Sequence, residues 1–147
     1  MAKAYSFLDT HCAIVGVGGA FSLRDGSSED EGIRVAPRTA KNDLIIGADG
    51  SGLHSLRADK SANVTITLLK NSPVNALLSA MYNIQQTSAS LWGNNVITIV
   101  SSVGDVISCT GAAFTKQPDV VYASKGGTNT WEFECIEMHE ILAASIV

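Results

Sequence analysis

The sequence predicts a mainly β fold, an antiparallel β-barrel or sandwich with one flanking α-helix. Three observations support this prediction. Short runs rich in β-branched and aromatic residues recur along the chain, turn residues separate them, and one segment has helical spacing. Strands do not alternate with helices, which disfavours a parallel sheet. With 147 residues, 46% of them hydrophobic, the chain can build one core, and we assign residues 1–147 to a single domain.

The most secure strand is the run Ala62–Leu69, in which apolar side chains alternate with threonines. Successive side chains of a strand point to opposite faces, so Val64, Ile66 and Leu68 are expected to meet the core. By the same reasoning we predict strands at residues 4–17 (one long or two short, with a bend at Asp9-Thr10), 33–36, 44–46, 53–56, 96–100, 106–109, 113–122 with a break at Pro118, and 129–138.

One helix is predicted over residues 73–87. Ser72 suits the N-cap because its hydroxyl can accept a backbone hydrogen bond. Pro73 suits the first helical position, where no N–H partner is needed. The apolar stripe expected to face the sheet consists of Val74, Leu77, Leu78, Met81 and Tyr82.

A long extended loop, or arm, is predicted over residues 19–43. Its central part, residues 24–32, is polar, acidic and punctuated by glycine, as in a solvated loop that projects from a domain. The three carboxylates of Glu29-Asp-Glu31 suit either a solvated loop tip or an acidic contact patch.

Composition limits the functions open to this chain. Charged residues make up 16% of the sequence, below the roughly 25% of typical soluble proteins, which hints at surface buried against partners. The net charge of −4 opposes tight binding to a phosphate backbone. No apolar run approaches the roughly 20 residues of a membrane helix, and no secretory signal is evident, so we expect synthesis in the cytoplasm. The three cysteines, far apart and odd in number, are expected to be reduced core thiols.

No catalytic or metal-binding pattern stands out. The pair Gly16-Val-Gly18 lacks the third glycine and the following helix of a dinucleotide site. The segment Asp49-Gly-Ser-Gly52 lacks the alternating ligands and final glutamate of a calcium loop, so a turn is favoured. The three histidines, His11, His54 and His139, are too scattered for a metal pair. We therefore expect no enzyme activity, no metal and no cofactor.

Five segments carry a resemblance to a known family. They are Tyr5-Ser-Phe-Leu-Asp9, Ile46-Gly-Ala-Asp-Gly-Ser51, Leu69-Lys-Asn-Ser-Pro-Val-Asn75, Lys116-Gln-Pro-Asp119 and Thr130-Trp-Glu-Phe133. In this order, the chain resembles the tail tube proteins of contractile-tailed bacteriophages. The resemblance covers nearly the whole chain and implies the tail-tube type of β-barrel or sandwich, similar to the tube subunits of type VI secretion devices and contractile bacteriocins.

The resemblance implies a structural subunit of hexameric rings, which stack into a DNA-conducting channel inside a contractile sheath. The implied partners are further copies of the chain, the sheath protein, the baseplate or tail initiator and the tail terminator. The tape measure protein and DNA would occupy the lumen without specific nucleic-acid binding. The expected location is the virion tail. The alternatives are a tube subunit of a bacteriocin or type VI secretion device, and a monomeric β-sandwich binding module.

Three surfaces follow from this resemblance. The arm would reach a neighbouring subunit, with its acidic tip pairing with basic residues of another copy. The polar face of Ala62–Leu69 would face the lumen, and the outer side of the helix would meet the sheath. The arm candidates are Arg24, Asp25, Glu29, Asp30, Glu31, Arg34, Arg38 and Lys41; the lumen candidates are Thr65 and Thr67; the sheath candidates are Asn75, Ser79 and Asn83.

Overall fold

Alternating burial along the strands organises the structure, a computed structural model that describes residues 6–23 and 32–142. The strands are β1 (Thr10–Gly16), β2 (Gly19–Ser22), β3 (Ile33–Pro37), β4 (Asn42–Ile46), β5 (Gly52–Leu56), β6 (Ala62–Leu69), β7 (Asn95–Ser101), β8 (Val106–Lys116) and β9 (Thr128–Ile141). The α-helix α1 spans Pro73–Gln85, and short 3-10 turns span Phe7–Asp9 and Ala89–Leu91.

Seven strands form one antiparallel sheet in the order β2-β1-β7-β8-β9-β6-β3, and β4 and β5 form a separate two-stranded sheet. The predicted mainly β, antiparallel fold with one helix is therefore confirmed. Within the described residues, β2 and β3 are the two edges of the main sheet. No helix in this part of the chain is long and apolar enough to cross a membrane.

The core lies between one face of the main sheet and α1. In β6, every second residue from Ala62 to Leu68 is buried, as its alternating sequence predicts. Four aromatic rings pack edge to face or tilted around Phe114, which contacts Tyr82, Trp92, Trp131 and Phe133 at ring-centroid distances of 4.7 to 6.3 Å. Such pairs stabilise a core beyond the area they bury.

Helix α1 begins and ends close to its predicted bounds. The Ser72 hydroxyl accepts a hydrogen bond from the Val74 N–H at 3.3 Å, and Pro73 is the first helical residue. The buried stripe differs from the prediction in one respect. Leu77 is exposed and Gln85 is buried, so the fully buried stripe consists of Val74, Leu78, Met81 and Gln85, and Tyr82 packs half-buried against the core as predicted.

A β-bulge separates the two halves of β8. Asn95 of β7 lies opposite Ala112, whereas Ile97 lies opposite Cys109, so β8 carries one extra residue there. Gly111 lies within this bulge and has a φ of +64°, a backbone conformation that glycine adopts without strain. The backbone of β8 therefore changes course at this point while its core residues stay buried.

Two fully buried amide side chains tie α1 to the sheet. Gln85 donates from Nε2 to Asn95 Oδ1 at 2.7 Å, and Asn95 donates from Nδ2 to Gln85 Oε1 at 3.0 Å. Gln85 Nε2 also donates to the Val17 carbonyl at 2.8 Å. A Cβ at Gly16 would lie 1.8 Å from Asn95 Oδ1, so glycine leaves the room that this amide pair needs. The end of α1 is thus joined to β7 and to the turn after β1.

Replacing Gln85 with leucine is expected to lower the free energy of unfolding by about 2–4 kcal/mol, because both amide atoms of buried Asn95 lose their partner. The matched control is Gln86→Leu on the exposed side of the helix end, with an expected change within about 0.5 kcal/mol. Urea unfolding followed by circular dichroism measures both. Equal effects of the two variants would show that the amide pair is not what stabilises this junction.

Candidate assembly surfaces

The edge of the main sheet continues into a hairpin that leaves the sheet. β3 pairs with β6 as far as Pro37 and Ala62. The two chain segments stay together beyond that point, where the Arg38 N–H donates to the Ser61 carbonyl at 3.1 Å. They then form β4 and β5, and we call residues 38–61 the projecting hairpin. Each side of the projecting hairpin holds about 12 residues. At about 3.3 Å per residue, a straight hairpin of this length would extend roughly 40 Å.

The base of the projecting hairpin is fastened by Asp59. Its Oδ1 accepts from the Ser61 hydroxyl at 2.6 Å and from the Ser61 N–H at 2.9 Å, and its Oδ2 accepts from the Thr39 hydroxyl at 2.9 Å. The Ser61 hydroxyl, followed by the Ser61 N–H, lowers the pKa of Asp59 to about 2. The Lys60 carbonyl accepts from the Met138 N–H of β9 at 2.9 Å. The base is therefore held both across the hairpin and against the sheet.

Beyond its base, the hairpin exposes large apolar side chains on both faces. Residues paired across β4 and β5 share a face, so one face carries Leu44, Ile46 and Leu56 and the other carries Ile45 and Leu53. The exposed fractions of these five side chains run from 51% to 89%. An isolated two-stranded hairpin is marginally stable at best in water. Within the part of the chain that the structure describes, nothing covers either face.

The main sheet has a second surface, on the side away from the core. Thr65 and Thr67 lie on this face, because the residues that alternate with them in β6 are buried. Thr65 lies between Arg34 of β3 and Glu132 of β9, and Glu132 lies near Lys116 of β8 in the ladder. This row of side chains mixes both charges, and it does not form the basic track that would hold a phosphate backbone.

Strand β9 gives the middle of the sheet an acidic character. It carries no lysine or arginine, but four glutamates: Glu132, Glu134, Glu137 and Glu140. Glu137 accepts from His139 Nε2 at 2.5 Å and lies 4.0 Å from Lys60 Nζ, so this carboxylate is shared with the base of the projecting hairpin. The other three point to no basic partner at salt-bridge distance among the described residues.

Of the helix residues predicted to face outward, Asn75 is half-buried and its amide forms hydrogen bonds within the subunit. Its Nδ2 donates to the Leu69 carbonyl at 2.9 Å, and its Oδ1 accepts from Trp131 Nε1 at 3.0 Å. Asn75 thus satisfies the indole of a buried tryptophan, a contact between residues far apart in the chain that the helical spacing could not reveal. Ser79 is half-buried at a shallow groove of about 340 Å³, and Asn83 is exposed.

The structure corrects the bounds of the predicted arm. Residues 19–22 pair with β1 and residues 33–37 pair with β6, so these two parts of the predicted span 19–43 belong to the main sheet, whereas residues 38–43 lie in the projecting hairpin. The described segment that projects is 38–61 instead. Of the charged arm candidates, Arg34 lies on the edge strand, and Arg38 and Lys41 are exposed at the hairpin base. The remaining five, Arg24, Asp25, Glu29, Asp30 and Glu31, lie outside the described residues.

The cysteines are buried free thiols, as predicted. Burial raises the pKa of Cys12 to about 12, and burial together with neighbouring Cys135 raises that of Cys109 to about 12. At these pKa values Cys12 and Cys109 stay protonated near neutral pH, which disfavours the thiolate form that acts as a nucleophile. Across residues 6–23 and 32–142, no group of three histidine, cysteine or acidic side chains is placed to hold a metal ion.

A family model now identifies the chain. The model described as the Bacteriophage PhiTE tail tube protein matches residues 1–143. The chain belongs to this tail tube family. The resemblance inferred from the five sequence segments is therefore confirmed. A comparison with curated protein sequences found no match.

Solved structures share the fold of this tail tube chain at low sequence identity. The terminating cap of the anti-feeding prophage tube has 14% identity and a TM-score of 0.56, covering 97% of this chain and 95% of its own. A chain of the PVC sheath-tube complex, from an extracellular contractile injection system in its extended state, has 11% identity and a TM-score of 0.58, covering 94% and 91%. A chain of the anti-feeding prophage baseplate has 12% identity and a TM-score of 0.54, covering 96% and 97%.

The base of the projecting hairpin is expected to loosen in acid. Hydrogen bonds to the carboxylate place the folded pKa of Asp59 below its ordinary value of 3.8, so the stabilisation is complete above about pH 4 and is lost as the pH falls through about 2. The Ser61 amide resonance, followed by NMR, should shift with a midpoint near pH 2.

Asp59→Asn should remove that transition, because the amide side chain does not titrate. The control is Asp43→Asn, which changes another exposed aspartate of the same hairpin and should leave the Ser61 transition in place. A Ser61 midpoint near pH 4 in the unmodified protein would refute the assigned hydrogen bonds.

Proposed function

We propose that this chain is the repeating subunit of a phage tail tube, in which six copies form a ring and stacked rings form the DNA channel inside a contractile sheath. The projecting hairpin carries this proposal. Its five large apolar side chains are exposed on both faces, and a surface of this kind is characteristic of a protein that buries it against other copies. Family membership establishes the tube class, and the hairpin supports the assembly.

The energetics favour burial of the hairpin in an assembly. Fully burying one leucine or isoleucine side chain stabilises by about 1.5–3 kcal/mol, so five such side chains represent a gain of several kcal/mol per subunit. The base of the hairpin is already fixed by Asp59, which lowers the entropy lost when a neighbour binds the distal part. A neighbour's surface would complete a hairpin that is marginal alone.

The sheet edges support the same arrangement. Among the described strands, β2 and β3 are the edges of the main sheet, and edge strands are prone to pair with other chains. In a closed ring, neighbouring subunits would cover these edges and remove that hazard. The low charged fraction of 16% agrees with a subunit whose surface is largely covered.

The outer face of the main sheet is the surface best suited to a channel. Thr65 and Thr67 are short polar residues there, and the acidic strand β9 runs beside them. This face has acidic side chains that repel phosphates, and its basic residues Arg34 and Lys116 do not form a basic track, so DNA and the tape measure protein would pass without specific binding. The chain's net charge of −4 agrees with this role.

The remaining partners would be the sheath protein around the tube, the baseplate or tail initiator at one end and the tail terminator at the other, all within the virion tail. Structures with the same fold come from a sheath-tube complex, a baseplate and a tube-terminating cap. The tube would act as a passive conduit and piston that the sheath drives, without catalytic turnover or a cofactor. Synthesis in the host cytoplasm would precede assembly.

A tube subunit of an injection device is the second candidate. The solved structures that share this fold come from the anti-feeding prophage and the PVC injection system, which favours this class as the alternative to a phage. The two candidates differ in cargo, because a phage tube conducts DNA. A monomeric β-sandwich binding module would leave the exposed hairpin unexplained.

Negative-stain electron microscopy across a concentration series of the purified protein tests the proposal. We expect rings or hollow tubes with six-fold end views. Leu53→Asp should abolish them, because a carboxylate cannot be buried in an apolar contact without a large cost. Its monomer should melt at an unchanged temperature, since Leu53 is 61% exposed and supports little of the monomer fold.

The matched control is Leu142→Asp, a leucine with a similar exposed fraction of 68% at the end of the described chain. It should still form tubes. Loss of assembly in both variants would show that the hairpin has no special role in assembly. Monomers that persist at every concentration, even with the tail initiator added, would contradict the proposal and favour a monomeric binding module.

A further inference from the structure

One face of the projecting hairpin carries a histidine among its apolar side chains. His54 lies directly opposite Leu44 in the ladder of β4 and β5, and Leu56 is two residues further along the same strand. Because successive residues of a strand alternate between its faces, these three side chains lie side by side, together with Ile46. All four are exposed. We call this surface, which also includes Asn42 opposite Leu56, the histidine face.

The histidine face carries no charge while the imidazole is neutral. Asp43, the acidic residue of β4, lies on the other face of the hairpin. Asp49 lies in the turn between the two strands, Lys41 precedes β4 and Arg57 follows β5. In the described part of the chain, β4 is the strand that pairs with β5. The paired strand therefore presents no charged side chain to His54.

The hydrogen-bonding partner of His54 suits both charge states of the ring. The Asn42 amide lies close to Nδ1 of His54, with Nδ2 at 3.1 Å and Oδ1 at 3.2 Å. A neutral ring accepts from the amide nitrogen, whereas a protonated ring donates to the amide oxygen. Since His54 is also exposed to water, the free subunit accommodates either form.

Burial of the histidine face would separate the two charge states. A neutral imidazole that keeps its hydrogen bond can be buried at little cost, whereas an imidazolium loses its water without gaining an opposite charge. Histidine is the side chain that ordinarily changes its charge between about pH 5 and 8. His54 is the only histidine of the projecting hairpin, so it makes the burial of this surface sensitive to pH.

We infer that protonation of His54 opposes burial of the projecting hairpin, so that tube growth is favoured near neutral pH and weakened in mild acid. This inference rests on the proposed function and adds the regulation of the same surface. The assembled subunit binds fewer protons at His54 than the free subunit does. The stabilisation of the tube is therefore complete where the imidazole is neutral, and it is lost as the pH falls through the range in which the ring becomes charged.

The test measures the critical concentration, which is the concentration of free subunits that remains beside assembled tubes. It is measured at about pH 7.5 and about pH 5.5, an interval that spans the ordinary titration of histidine and lies above that of aspartate and glutamate. Sedimentation separates tubes from free subunits, and electron microscopy confirms that the pellet contains tubes. Circular dichroism checks that the free subunit stays folded at both pH values.

The critical concentration of the unmodified protein should rise about fivefold to tenfold from the higher pH to the lower, because excluding the charged form of one histidine weakens assembly by up to about tenfold per pH unit. His54→Gln, which puts a neutral amide in place of the ring, should have the same critical concentration at both pH values. His54→Leu repeats the test with an apolar side chain. The matched controls, His11→Gln and His139→Gln, change exposed histidines outside the hairpin and should keep the pH dependence.

Three results would overturn the inference: equal critical concentrations of the unmodified protein at both pH values, a lower critical concentration in acid, or an unchanged pH dependence in both His54 variants. The second result would show that a neighbouring copy places a carboxylate beside the ring. Absence of tubes at both pH values, even with the tail initiator added, would instead refute the proposed function, and the inference with it.

Discussion

The arrangement of this subunit depends on the buried amide pair of Gln85 and Asn95. Because Gln85 points into the core, the rotation of α1 about its axis is fixed, and the residues one position earlier are left on the solvent side. A polar pair in the core has one satisfied geometry, whereas apolar side chains tolerate several. The same contact therefore sets both what the helix buries and what it presents.

The two chain segments that pair as β3 and β6 in the main sheet continue as β4 and β5 outside it. One hairpin therefore runs from a buried environment into solvent. Near the sheet, β6 alternates between buried and half-exposed residues, whereas the distal strands β4 and β5 are exposed at every position. The change occurs at Pro37, which ends β3, and at the hydrogen bonds of Asp59 just beyond it. The folded subunit thus provides a hydrogen-bonded base for the hairpin. The distal part lacks the third strand or packed helix that a two-stranded hairpin needs to be stable.

The sequence predicts well where local patterning and packing agree. The alternation of β6 and the Ser72-Pro73 start of α1 are confirmed because both follow from short-range geometry. It fails where distant residues decide the outcome. Asn75 has the spacing of an exposed residue, yet its amide serves Trp131 on another strand. The run Leu44-Ile45-Ile46 predicts a strand correctly, but apolar composition alone does not show that the strand lies outside the main sheet with its side chains exposed.

The exposed apolar side chains of the projecting hairpin make the free subunit prone to aggregation between its folding and its incorporation into an assembly. As far as residues 6–23 and 32–142 show, a free subunit exposes apolar side chains next to strand edges without a partner, which is the combination that drives irregular aggregation. Ordered growth must therefore be faster than random association. A low concentration of free subunits and a template at the growing end satisfy this condition, because addition to one end is then favoured over contact between free subunits.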